Sequence, residues 1–136
     1  MSTDVQAATR HGLDVWVLEN EGLEVVILPS PGGKLVSIYD KQRGVEWLAP
    51  PAIPPAATLA YGMAWEGPGS YGWDEMMPTI VACPYPGDGA GAELPDHGEL
   101  WTQPWDAVAT DDSVTVSCTG KALPYTFGRC ATLAAA

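Results

Sequence analysis

Acidic side chains and one histidine gather in two short motifs. They are Gly72-Trp73-Asp74-Glu75-Met76-Met77-Pro78-Thr79 and Leu94-Pro95-Asp96-His97-Gly98-Glu99-Leu100-Trp101, with Trp105 close behind. These residue types suit a polyol. An imidazole can donate a proton or a hydrogen bond near neutral pH, and a carboxylate can accept hydroxyl protons or act as a base. An indole face suits the C–H face of a sugar ring. His97 is the candidate acid, with Glu75 or Asp74 as the candidate base. Trp73, Asp74, Glu75, His97 and Trp101 are the candidate binding residues.

Each has a competing, purely structural reading. His97 precedes a glycine and suits a turn in which it bonds a backbone carbonyl. Asp74 and Glu75 suit a solvated pair, and on a strand adjacent side chains point to opposite faces, so only one could face a pocket. Trp73, Trp101 and Trp105 could all be core, and Pro104 implies an edge or bulge between the last two. A metal set from His97, Glu99 and Asp74 has one histidine and two carboxylates. The chain has no H-x-H or H-E-x-x-H and no serine elbow. No metal or other cofactor is expected.

The elements that must position these residues read as strands. Val15 and Val17 alternate with Trp16 and Leu18; after Asn20-Glu21-Gly22, Leu23, Val25 and Ile27 resume the period of two, which predicts a hairpin. Lys34–Asp40 and a short Val45–Leu48 extend it into an antiparallel meander. Ten of thirteen prolines lie from Pro50 to Pro104, and eight glycines from Gly62 to Gly98. That stretch predicts long loops folded onto a sheet, where binding residues commonly sit. Strands are expected again over 99–109, 113–119 and 123–133. No helical period stands out, so the expected fold is all-β, an antiparallel β-sandwich. One domain over 1–136 is expected, with 1–13 flexible, a strand meander over 14–49, a loop-rich cleft region over 50–98 and strands over 99–133.

Composition removes several classes. Of 136 residues, 17 are acidic and 6 basic, a formal net charge of −11. That balance repels phosphate backbones and anionic membrane surfaces, so neither nucleic acid nor membrane is an expected partner. Every apolar run is interrupted by proline, glycine or charge. The polar start through Trp16 has no apolar signal core and reads as a cytoplasmic N-terminus. Cys83, Cys118 and Cys130 are widely spaced and odd in number, which predicts buried free thiols in a reducing compartment.

With these motifs in view, the chain resembles the aldose 1-epimerase (galactose mutarotase-like) superfamily. The resemblance runs through Gly32-Gly33-Lys34-Leu35-Val36-Ser37-Ile38, GWDEMMPT, LPDHGELWTQPW and Leu123-Pro124-Tyr125-Thr126-Phe127-Gly128-Arg129. It implies a large antiparallel β-supersandwich that binds an aldose in a cleft and catalyses isomerase chemistry of carbohydrate metabolism. His97 matches the histidine of the family's H-G loop, and Asp74 and Glu75 border the same cleft. Relatives acting on hexose phosphates have an arginine where this chain has Trp101, which implies a neutral sugar. In the family, a carboxylate takes the anomeric hydroxyl proton while a histidine protonates the ring oxygen, and both follow the LPYTFGR strand. Here no histidine follows His97 and no glutamate follows Glu99. The resemblance therefore implies the N-terminal portion of the fold, a sugar-binding domain without the full catalytic pair. The alternatives are an active isomerase using His97 with Glu75 or Asp74, and a non-catalytic oligomerising β-module. A partial sandwich would leave strand edges open, so a homo-oligomer is expected.

Overall fold

A computed structural model describes residues 3–87 and 91–134. Asp4–Arg10 (β1), Leu13–Glu19 (β2), Leu23–Leu28 (β3), Lys34–Asp40 (β4) and Val45–Glu46 (β5) form a five-stranded antiparallel meander in chain order. Cys83–Pro84 (β6) and Glu93–Leu94 (β7) make a small ribbon. Asp106–Ala109 (β8), Ser113–Thr119 (β9) and Thr126–Thr132 (β10) form a second antiparallel sheet ordered β10-β9-β8. The fold is all-β and sandwich-like. No helix among the described residues is long and apolar enough to cross a membrane.

The alternation in β2 and β3 decides the layering. Trp16 pairs with Ile27 and Leu18 with Val25, so these residues share one face. That face packs against Val114, Val116 and Cys118 of β9, with Leu100 and Trp105 between. Val15, Val17, Val26 and Leu28 point the other way, where Tyr71 of the long loop covers them. The central strands are thus buried on both sides. Leu18, Ile27 and Leu28 are essentially inaccessible, and each such side chain contributes roughly 1.5–3 kcal/mol of transfer free energy.

Two expectations are corrected. Residues 4–10 are not a flexible lead; they form β1, in register with β2 from Asp4↔Glu19 to Arg10↔Leu13. Their sequence hid this because an edge strand needs few apolar residues. The strand expected over 99–109 exists only at 106–109. Glu99–Trp105 instead folds as a compact turn, with Gln103 N–H donating to Leu100 O at 3.2 Å. Its run of apolar side chains marks burial inside the loop, not strand alternation.

The Gly32-Gly33 turn seats that loop. Both glycines have positive φ (86° and 57°). A Cβ on Gly32 would lie 2.5 Å from Trp101 O, and one on Gly33 would lie 2.4 Å from the Trp105 ring. Gly32 N–H also donates to Gln103 O at 2.8 Å. Only glycine lets the two backbones approach this closely.

Candidate functional site

His97 occupies the tip of a turn with φ 57°, followed by Gly98 at φ 78°. Three backbone bonds fix it. His97 N–H donates to Ile80 O at 2.8 Å, Gly98 N–H to Pro95 O at 3.1 Å and Glu99 N–H to Met77 O at 2.9 Å. The backbone carbonyl bond foreseen in the competing reading does not use the imidazole. Its Nδ1 lies 3.0 Å from Asp96 Oδ2, but forms no directed hydrogen bond. The ring stacks on Trp65, centroids 5.0 Å apart and planes 20° from parallel. The other ring nitrogen, Nε2, has no hydrogen bond to a described residue, which leaves it as a donor or acceptor for a ligand.

Asp96 and Trp65 lock together. Asp96 Oδ2 accepts the Trp65 backbone N–H at 3.0 Å. That bond, and then the neighbouring His97, hold the Asp96 carboxyl below the usual carboxylate range. The Trp65 indole N–H donates to Asp74 Oδ2 at 3.2 Å. The residues of the two sequence motifs are thus joined in one chain, Asp96–His97–Trp65–Asp74.

Asp74 is not free, however. Its side chain is buried and ion-paired with Lys34, whose own side chain is fully buried. Lys34 Nζ also donates to Gly69 O at 2.8 Å and Tyr71 O at 3.3 Å, which uses all three ammonium donors. The ammonium also lies 4.9 Å from the Tyr71 ring centroid. Burial pulls the Lys34 ammonium down in pKa against the attraction of Asp74, and pushes Asp74 up against the attraction of Lys34. Burial, and then the charge of Asp74, push the Tyr71 phenol up to about 12.

Glu75 has a different partner from Asp74. It accepts from Arg129 Nη1 at 2.5 Å, while Arg129 Nη2 donates to Gly33 O. Glu75 therefore ties the cleft segment to β10 and the glycine turn. Both carboxylates weighed as bases are held by cations.

The remaining candidates separate. Trp73 is about half exposed (51%) and its backbone bridges Leu35, with Trp73 N–H to Leu35 O at 2.8 Å. Trp101, expected as a stacking platform, is fully enclosed (0%); its indole N–H donates to the Asp96 carbonyl at 3.3 Å. It supports the histidine turn from beneath and offers no face to a sugar. Trp105 is core, as its alternative reading had it.

The conceivable metal set does not assemble. Asp74 is committed to Lys34, and the Glu99 Oε2 accepts from Tyr61 hydroxyl at 3.0 Å, Lys121 N–H at 2.7 Å and Ala122 N–H at 2.6 Å. Among the described residues, no three His, Cys, Asp or Glu side chains gather where they could hold a metal ion. Glu99 is instead a buried knot between the histidine turn and the β9–β10 loop. Burial and the Glu99 bond push the Tyr61 phenol up to about 12.

Sequence reasoning missed Lys34, Trp65, Asp96 as a positioning group and Arg129 as the partner of Glu75. The one signal for Lys34 was a lone lysine opening an otherwise apolar strand after Gly32-Gly33. The thiols also differ from expectation: all three cysteines are free, but only Cys118 is buried, Cys83 is half-buried and Cys130 is exposed. The second histidine, His11, is exposed and lies beside a cavity of about 110 Å³ that Arg10, Glu24, Ser37 and Tyr71 also line.

Fold and site together define an all-β, sandwich-like protein with a half-buried histidine braced by an indole and a carboxylate. No protein-family model matches the chain, and no curated protein matches it either.

Proposed function

We propose that this chain is a carbohydrate-binding domain of the aldose 1-epimerase-like type, which holds a neutral aldose at His97 and does not perform the ring-opening chemistry. The observation that carries the reading is the Asp96–His97–Trp65–Asp74 chain. It presents an unengaged imidazole nitrogen from a turn whose ring orientation is set by stacking. A sugar hydroxyl can donate to or accept from Nε2. Exposed Trp73 supplies an aromatic face of the kind that C–H groups of a ring pack against. The lack of turnover follows from the carboxylates. Glu75 is engaged by Arg129 and Asp74 by Lys34, and a base that must give up an ion pair before taking a proton is poorly placed for acid–base catalysis.

Polarimetry on freshly dissolved α-glucose or α-galactose separates this reading from the active isomerase. Equilibration at the buffer rate is expected with wild type and with His97→Ala alike. Calorimetry on the same samples is expected to give a wild-type dissociation constant on the order of 1 mM, equivalent to about −4 kcal/mol, with heat lost in His97→Ala. Acceleration that disappears in His97→Ala would instead establish the isomerase. Absence of heat with both sugars would remove the binding role.

A further inference from the structure

The cavity beside His11 is built from two layers of this chain. Val26 and Val36 of the first sheet form its floor, and Pro51 and Tyr71 of the long loop form its wall. It holds about 110 Å³ and adjoins a smaller space of about 20 Å³ that shares Arg10, His11, Val36 and Tyr71. An apolar cavity of roughly 150 Å³ accepts a benzene ring, so a body of that size or a little smaller fits. None of the histidine-turn residues lines either space. Three groups with protons to give face it. Tyr71 is only 7% exposed. Its ring lies against the Lys34 ammonium, while its hydroxyl, which stays protonated at neutral pH, is bonded to no described residue. Arg10 is the second. Arg43 and Arg129 are each bonded to a carboxylate, at 2.8 Å and 2.5 Å. The Arg10 guanidinium comes no closer to one than 4.0 Å, at Glu24 Oε1, which is beyond hydrogen-bond distance. His11 is the third. It opens the two-residue turn between β1 and β2, where His11 and Gly12 both have positive φ (51° and 77°), as a type I′ hairpin requires.

We propose that this cavity binds a small organic monocarboxylate, with its apolar body between Val36, Pro51 and Tyr71 and its carboxylate on Arg10 and the Tyr71 hydroxyl. This site is separate from the sugar reading and does not rest on it. A mostly apolar cleft with a few converging polar groups is the usual form of a small-molecule site. The donors select the ligand's charge. A guanidinium is always protonated, accepts nothing and matches the two oxygens of a carboxylate with its own fork. Ser37 adds no competing donor, because its hydroxyl is given to Glu46 Oε2 at 2.5 Å. Glu24 opposes the anion, since it shares the Arg10 charge from 4.0 Å away. The net charge of −11 also works against an anion at long range. Binding therefore depends on direct contact with Arg10 and on burial of the apolar body.

Titration of the whole chain with benzoate, followed by calorimetry and by the backbone amide signals of Arg10, His11, Gly12 and Val36, tests it. Saturable binding is expected with a dissociation constant on the order of 1 mM. Benzamide has the same shape without the charge and is expected to bind about tenfold more weakly. Arg10→Gln and Tyr71→Phe are each expected to weaken benzoate about tenfold. Tyr71→Phe keeps the ring against Lys34 and removes only the hydroxyl, so the melting temperature should stay in place. Glu24→Gln is expected to tighten benzoate, because Arg10 is then shared with no other anion. An absence of saturable binding, equal affinity for benzamide, or affinity indifferent to Arg10→Gln and Tyr71→Phe would each overturn the proposal. So would benzoate shifts centred on residues 95–98, which would place the anion at the histidine turn.

Discussion

Replacing Lys34 with methionine is expected to destabilise the fold by about 3–5 kcal/mol, the cost of leaving a buried charge without its partner. Methionine fills similar space but gives no donor. Among the described residues, Asp74 then keeps only the Trp65 indole N–H, and the carbonyls of Gly69 and Tyr71 lose their ammonium donor. For a chain of this length such a loss lowers the melting temperature by roughly 10–20 °C. The converse change, Asp74→Asn, is expected to cost less. Lys34 would keep two carbonyls and the face of Tyr71, and an asparagine can still accept from Trp65. Combining Lys34→Met with Asp74→Asn should therefore recover part of the loss, because the orphaned charge is gone. Denaturant unfolding of the three variants checks this. A double variant as unstable as the sum of the singles would show that the ion pair is not the unit that matters.

Gly98→Ala is expected to be nearly as damaging, by about 3 kcal/mol, and to act on the site directly. The residue sits at φ 78°, where an L side chain costs about 1–2 kcal/mol. Its Cβ would also lie 2.2 Å from Met77 O and 2.5 Å from Met77 C. The clash falls on backbone, which cannot swing aside, and on the same carbonyl that accepts the Glu99 N–H. The histidine turn must lift from the 77–80 segment, and His97 loses its fixed position over Trp65. Gly67→Ala is the control. It has φ 71° but nothing within 4 Å of its Cβ, so only the backbone preference is lost. Equal melting temperatures for the two variants would refute the close-approach argument.

Much of the scaffold was legible in the residues. Lys34–Asp40 and Ser113–Thr119 coincide with the expected strands because β9 buries alternate residues and β4 lies between turn-forming segments. β1 was illegible because Asp-Val-Gln-Ala-Ala-Thr-Arg owes its conformation to the β2 ladder and not to its own periodicity. The turn at 99–105 misled for the opposite reason. Leu100, Trp101, Thr102 and Trp105 are buried without being in a sheet, and burial alone resembles alternation over a few residues.

The site followed the same division. Both motifs carried His97 and the carboxylates in view, and spacing implied that Asp74 and Glu75 diverge. What each carboxylate meets lies 40 and 54 residues away, at Lys34 and Arg129. No local pattern encodes such pairings. The same holds for Trp65, which reads as one more apolar residue in a loop until it is found beneath the imidazole. The buried end of Trp101 is likewise a tertiary fact: an indole on a short apolar run serves a core and a sugar platform equally well.

The proposed function places a neutral sugar at the histidine turn. The most direct test is a proton–nitrogen NMR titration of the labelled chain with galactose or glucose, following the backbone amides of residues 95–98 and the indole N–H signals of Trp65 and Trp73. Saturable shifts concentrated on Trp65, Trp73 and the amides around His97 are expected, with their loss in His97→Ala while the rest of the spectrum stays in place. Shifts that cluster elsewhere, or a spectrum unmoved by either sugar, would contradict it.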